Sequence, residues 1–258
     1  MNEFLNLIEE SRLIEAYTWL SNPDNKSLNP KVIDQFKQIL TSHFIRNRQG
    51  KLQGLISLRN AGFTPSIVFD VGAQVGTPEL FQAFPDAHHI MIEPVAECLS
   101  SLNSIKNELK SAIVINCAVS NINGSATLSM TPSRQYSSIE GIIGEENREI
   151  EVRTLDSIYE DISIDGPILI KIDVDGPEIK VLQGAKSILK KDCVLVIEAS
   201  IADENPRFAN IVEYMTAYGY QVYDIVDHLH RQGDFHLWQV DLIFIKNKAK
   251  FWGSKSFW

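Results

Sequence analysis

The strongest regularity along the chain is a set of short, almost wholly apolar runs separated by longer segments in which apolar residues recur every three or four positions. Runs of four to eight apolar residues rich in Val and Ile suit strands buried on both faces, and the interleaved 3.6 period suits helices. Strands are predicted at 67–71, 89–93, 112–119, 168–173 and 193–199, with helices at 77–84, 95–108, 177–190 and 206–218. Such alternation predicts an α/β fold with a mostly parallel, doubly wound sheet. The last two runs, Tyr220 to Val226 and Val240 to Ile245, are joined by about 13 residues without helical period, so they are expected to form a hairpin that adds one antiparallel strand. A second hairpin is expected from Ala126–Met130 and Glu149–Val152, leaving Thr131 to Arg148 as a candidate lid.

Residues 1–60 have a different texture. Phe4, Leu5, Ile8, Leu13, Tyr17 and Leu20 follow one helical pattern, Val32 to Phe44 a cleaner second one, and Leu52 to Leu58 suggests a third. The expected organisation is a helical extension over 1–60 and a main domain over 61–258. The extension would cover the sheet, cap the cleft, or make a homo-oligomer contact.

Composition narrows the function classes. A balance of 24 basic against 33 acidic residues, net −9, argues against an extended phosphate-binding surface, so nucleic acid is not the expected partner. No basic segment leading into a long apolar stretch and no run of about 18 apolar residues is present, so neither export nor a membrane is expected. Cys98, Cys117 and Cys193 are odd in number and lie in apolar surroundings, which fits reduced core thiols and a cytoplasmic setting.

The candidate chemistry sits where the apolar runs stop. Val68 to Gly76 reads as a buried strand, a turn with glycines at 72 and 76, and the start of a helix. The dinucleotide fingerprint requires three glycines, whereas here Ala73, Gln74 and Val75 separate two, and Asp70 precedes the turn. A carboxylate there opposes pyrophosphate and favours a cationic ligand such as a sulfonium. Glu93 ends the next run, about 20 positions past Gly72, where an acidic residue takes ribose hydroxyls in nucleotide-binding βαβ units. Ser120, Asp173 and Glu198 also fall at strand ends, and all five should meet on one rim. Asp173 and Glu198, on neighbouring strands, could share a proton, bind a divalent cation or position a substrate hydroxyl. Glu178, after Pro177 in a first helical turn, reads as ordinary dipole compensation. His228, His230 and His236, with Arg231 and Trp238, crowd the connection between the last two strands; histidine titrates near neutrality, so His228 and His230 are further candidates for the base. Their spacing gives no convincing metal site.

Asp70 to Gly76, Glu93-Pro94, Ala118 to Ser120 followed by Gly124, Thr154-Leu-Asp156, and Lys171 to Glu178 (Lys-Ile-Asp-Val-Asp-Gly-Pro-Glu) together resemble the FkbM family of S-adenosylmethionine-dependent methyltransferases, over roughly residues 65–200. The resemblance implies a Rossmann-like class I methyltransferase fold. It implies that Asp70, Gly72, Ala73, Gln74 and Gly76 hold the methionine part of S-adenosylmethionine, Glu93 and Pro94 the ribose, and Ala118, Val119 and Ser120 the adenine side. It also implies an acceptor that is a small molecule or sugar, methylated on a hydroxyl oxygen. The chain has Gln74 where the family commonly has asparagine, Asp175 where glutamate is usual, and Val95 where asparagine often follows the Glu-Pro pair. An NAD-dependent oxidoreductase and a non-catalytic S-adenosylmethionine-binding scaffold are the competing classes.

Overall fold

The computed structural model describes residues 50–130, 137–138, 146–174, 176–202, 206–231 and 233–249, with isolated positions before residue 50. The first two helical patterns, most of the candidate lid, Asp175 and the aromatic tail after Ala249 lie outside the described residues.

Among the described residues, seven strands form the main sheet: β1 (Ile67–Val71), β2 (His88–Ile92), β3 (Ala112–Ile115), β8 (Ile168–Ile172), β9 (Cys193–Ser200), β10 (Tyr220–His230) and β11 (Leu237–Lys246), in the spatial order β10-β11-β9-β8-β1-β2-β3. All neighbours pair in parallel except β11, which runs antiparallel to both β9 and β10. Helices α1 (Lys51–Asn60), α2 (Pro78–Ala83), α3 (Leu99–Glu108), α4 (Leu155–Glu160), α5 (Glu178–Gln183) and α6 (Phe208–Ala217) flank it. This is the mostly parallel α/β sheet with a terminal antiparallel strand that the apolar pattern predicts. A second sheet holds β4 (Ala118–Val119), β7 (Glu146–Arg153), β5 (Gly124–Met130) and β6 (Ser137–Ser138), in that order.

Alternation along the strands divides the core in two. Ile67, Phe69, Ile168, Ile170, Leu195 and Ile197 face one way, onto α4, α5 and α6 through Leu155, Ile158, Val181, Leu182, Ile211 and Met215. Val68, Leu169, Val194, Val196 and Ile243 face the other way, onto α1 and α2 through Leu55, Leu58, Leu80 and Ala83. Leu55 and Leu58 have no solvent exposure, and burying each is worth about 1.5–3 kcal/mol. Residues 51–60 therefore pack into the same core as the sheet. The cysteines are free, and burial pushes the Cys117 and Cys193 thiols up to about 12. No helix among the described residues is long and apolar enough to cross a membrane.

Three expected elements divide or lengthen. The run 112–119 breaks after Ile115, because the Asn116 amide turns to donate to the carbonyls of Glu93 (2.8 Å) and Pro94 (3.0 Å), and the chain then enters the second sheet. The helix expected over 177–190 stops at Gln183: Gly184 lies so close to Ser120 that a Cβ would come 2.1 Å from its carbonyl oxygen. The final hairpin is longer than its apolar runs, since the ladder continues to Leu229↔Gln239 and His230↔Leu237 through register shifts.

Candidate active site

Strand alternation places the ionisable residues. Asp70 follows Val68 on β1, Lys171 and Asp173 follow Leu169 on β8, Glu198 follows Val196 on β9, and Asp241 precedes Ile243 on β11. Register puts Val68 beside His89, so Glu93, four positions on, shares that parity. Six ionisable residues thus project from the carboxyl edge onto one face, the one covered by α1 and α2.

On the β1–β2 side, main-chain hydrogen bonds fix the turn. Gly72 and Ala73 N–H both donate to the carbonyl of Ile92, at 3.0 and 3.1 Å. Gly72 (φ +75°) is required by a close approach: a Cβ there would lie 1.8 Å from the Asp173 carbonyl oxygen, so it is the tip of β8 that excludes a side chain. Gln74 takes a left-handed φ of +46°, and this turns its N–H onto Glu93 Oε2 at 2.8 Å. Val95 N–H donates to Glu93 Oε1 at 2.9 Å. Glu93 is only 4% exposed, and its carboxylate joins the turn after β1 to the turn after β2. Burial raises its pKa above the usual glutamate value, against the pull of the Val95 and Gln74 N–H groups and of Lys171. Each oxygen retains a second lone pair, so this carboxylate fits a ribose diol as well as the two N–H groups.

Beside it lies a buried charge cluster. Asp70, 1% exposed, accepts from Thr77 N (3.2 Å) and Thr77 Oγ1 (3.0 Å) and pairs with Lys171 Nζ at 3.4 Å. Both its oxygens are thereby engaged within the protein, and its charge is matched by an ammonium. Lys171 Nζ also pairs with Asp173 Oδ2 at 2.9 Å and reaches the Gly72 carbonyl at 3.5 Å. Burial works against this ammonium, but Asp70 and Asp173 outweigh it and raise its pKa. Asp173 in turn hydrogen-bonds the Glu198 carboxyl; burial opposes its ionisation, yet Lys171 and that hydrogen bond hold its pKa below the usual value. Its side chain is 34% exposed against 1% for Asp70, so Asp173 is the carboxylate that opens outward from the cluster.

Several motif residues have structural work. Asp156 accepts from the N–H groups of Ser187 (2.8 Å) and Ile188 (3.0 Å), and Thr154 Oγ1 caps α4 by accepting from Ser157 N. Glu178, 1% exposed, accepts from Gly176 N (3.1 Å) and Arg207 Nη1 (2.8 Å), while Arg207 Nε donates to Ser200 Oγ. Burial raises the Glu178 pKa despite Arg207. Ala118, Val119 and Ser120 are buried, and Ser120 N–H donates to the Arg153 carbonyl. They follow Asn116, whose amide donates to the Glu93 and Pro94 carbonyls, so this segment starts beside the turn after β2. Glu97 in the turn after β2 pairs with Arg148 of β7 and fastens the second sheet there. His228, His230 and His236 are not part of the cluster. They are exposed on the outer hairpin, His228 and His230 within β10, and His236 Nδ1 donates to the Leu237 carbonyl. Among the described residues, no group of three or more His, Cys, Asp or Glu is placed to hold a metal ion.

Residues 70–222 match the model of the methyltransferase FkbM domain, more than half of the chain. The chain belongs to the FkbM methyltransferase family. Methyl transfer from S-adenosylmethionine is the chemistry of that family, and the FkbM match opens at Asp70 and closes in β10. Lys51, Asp227, Asp241 and the three hairpin histidines lie outside it. Solved structures similar to the chain include precorrin-6y C5,15-methyltransferase from Geobacter metallireducens GS-15 (12% identity, 78% of this chain and 88% of that one, TM-score 0.45). Aeropyrum pernix fibrillarin with natively bound S-adenosyl-L-methionine (11%, 69% and 67%, TM-score 0.42) is another. So is ribosomal protein L11 methylase from Lactobacillus delbrueckii subsp. bulgaricus (12%, 75% and 77%, TM-score 0.41). Likeness at that level says nothing of the FkbM domain's acceptor. Comparison with curated protein sequences gives no match.

Lys171 and Arg207 are the residues that sequence reasoning undervalued. Each is a cation placed beside a buried carboxylate, and a lysine inside an apolar strand run was the available signal, because Lys is almost never buried unless paired.

Proposed function

We propose that the chain transfers the methyl group of S-adenosylmethionine to a hydroxyl oxygen of a small molecule or sugar, with Asp173 at the acceptor. The observation that carries this reading is Asp173 itself, ionised by Lys171 and open on one side beside the Gly72–Gly76 turn. The donor set suits the cofactor: Glu93 has free lone pairs for ribose hydroxyls, and the surrounding carboxylates favour a sulfonium over a phosphate. S-adenosylmethionine supplies an electrophilic methyl carbon and leaves as S-adenosylhomocysteine. Asp173 accepts the hydrogen bond of the acceptor hydroxyl and so holds its oxygen at an attacking distance of about 3–3.5 Å. Once that oxygen has begun to bond carbon, its O–H becomes strongly acidic, so a carboxylate of low basicity can take the proton. Asp173 keeps that proton until the products leave and then releases it to solvent.

The test is incubation with methyl-labelled S-adenosylmethionine across sugars, small alcohols, amines and RNA, with the product position read by NMR. An O-methyl product is expected, insensitive to EDTA. Methyl on nitrogen or carbon overturns the acceptor assignment, and activity lost to EDTA and restored by Mg²⁺ assigns the rim carboxylates to a cation. Calorimetry showing NAD bound and S-adenosylmethionine not bound would overturn the reading altogether.

A further inference from the structure

The α1 helix begins at the rim. Its first residue, Lys51, places Nζ 2.7 Å from Asp241 Oδ2 and 3.2 Å from Asp227 Oδ2, with the lysine side chain 12% exposed and that of Asp241 8%. Asp227 also accepts from the Lys51 backbone N–H at 2.7 Å, which caps the helix. It can do so because it takes a left-handed φ of +51° at a register shift in β10, pointing its carboxylate at α1. Asp241 stands opposite Glu198 across the β9–β11 ladder, and Glu198 hydrogen-bonds Asp173. Lys51 therefore stands one carboxyl beyond the pair placed at the acceptor.

We infer that Lys51 is a positioning residue for the rim: by neutralising Asp241 and Asp227 it keeps their charge from reaching Glu198 and Asp173, and so sets where that pair holds its proton. This rests on the reading of Asp173 given above. Glu93, Asp70, Asp173, Glu198, Asp241 and Asp227 place six carboxyls along this edge, and Asp173 acts in turn on Glu178 of α5, against the ammoniums of Lys171 and Lys51. Lys171 serves the Asp70–Asp173 end, and Lys51 serves the other. Without Lys51, Asp241 would be a nearly buried carboxylate facing Glu198 with no cation beside it. Burial raises the Asp241 pKa even with Lys51 in place, and Asp173 and Lys51 each act electrostatically on the other members of the cluster. Lys51 and Asp241 both lie outside the residues that match the family, so the second cation comes from elements that flank the matched domain.

The test is a carboxyl ¹³C NMR titration of the full chain, the Asp173 and Glu198 signals being assigned by the loss each shows on Asp→Asn or Glu→Gln replacement. Lys51→Met is expected to move titration of the pair to higher pH, Lys51→Arg to leave it near wild type, and Asp241→Asn to move it lower. In the Asp241→Asn background, Lys51→Met should produce a smaller shift than it does alone. A purely structural lysine would give a pair titration unchanged in Lys51→Met, with only the melting temperature lowered, and that result overturns the inference. If Lys51→Met fails to fold, the Asp241→Asn arm decides alone: an unmoved pair titration overturns the inference equally. The titration needs no acceptor, so its failure is separate from that of the proposed function, which full turnover in Asp173→Asn would overturn.

Discussion

Two groups of titratable side chains stand at the carboxyl edge of the sheet, and they differ in what surrounds them. Asp70, Lys171, Asp173 and Glu198 arise from buried strands, and the Lys171 ammonium stands about 3 Å from the carboxylates of Asp70 and Asp173. His228, His230 and His236 stand on an outer hairpin and face solvent. Histidine is the more usual acid or base near neutrality, but a group surrounded by water is screened and free to turn, whereas a buried ion pair fixes both charge and direction. Location in the fold outweighs residue type here.

The largest expected effect lies at Asp173. Asp173→Asn is expected to lower turnover by about 10² to 10⁴, the range for a positioned acid or base, with S-adenosylmethionine affinity within a few fold. His228→Ala and His230→Ala should each leave turnover within about twofold. Reversal of that order in steady-state rates would move the chemistry to the hairpin.

Stability should show the same contrast. Lys171→Met leaves Asp70 and Asp173 without their cation, and denaturant unfolding should show a loss of about 3–5 kcal/mol. The Asp173 pKa is lowered and that of Lys171 raised, which fixes the pH window. The wild-type advantage is fully present between about pH 4 and about pH 10. It fades as pH falls through the depressed aspartate value and again as pH rises through the elevated lysine value.

Glu93 differs from the other rim carboxylates in that the main-chain N–H groups of Gln74 and Val95 hold it. Glu93→Ala should weaken S-adenosylmethionine binding by about 1.5–3 kcal/mol in calorimetry. Ribose hydroxyls favour its ionised form, and burial has raised its pKa. Wild-type affinity should therefore begin to fall with acidification above the ordinary glutamate range, about 4.3, and Glu93→Gln should remove that dependence. The smallest effect is expected at the hairpin ion pair: Arg231→Ala, which frees exposed Asp234, should leave the denaturation midpoint unchanged within error.

Much of the rim was legible before the fold. Asp70, Glu93, Asp173 and Glu198 each close an apolar run, and parallel strands bring such ends to one edge. What escaped was pairing. The Lys51 N–H finds its acceptor 176 positions away at Asp227, and no periodicity registers a contact of that span. Asp70 read as a charge offered to a ligand, but its oxygens meet Thr77 and Lys171, a neutralisation visible only once β1 and β8 lie side by side. The break in 112–119 was hidden for a related reason: the apolar run is unbroken in character, and one asparagine amide ends the strand by binding carbonyls of a neighbouring turn.

The absent side chain of Gly72 has a mechanical consequence. With its Cα packed against the Asp173 carbonyl, and Asp173 N–H donating to the Val71 carbonyl at 3.0 Å, the loop assigned to the methyl donor and the backbone carrying the outward carboxylate form a single stiff joint. Neither can shift by an ångström without pushing the other. A methyl group at this position, Gly72→Ala, would wedge the joint open, so affinity for S-adenosylmethionine and turnover should fail together in that variant. Asp173→Asn, which leaves the joint closed, should separate them.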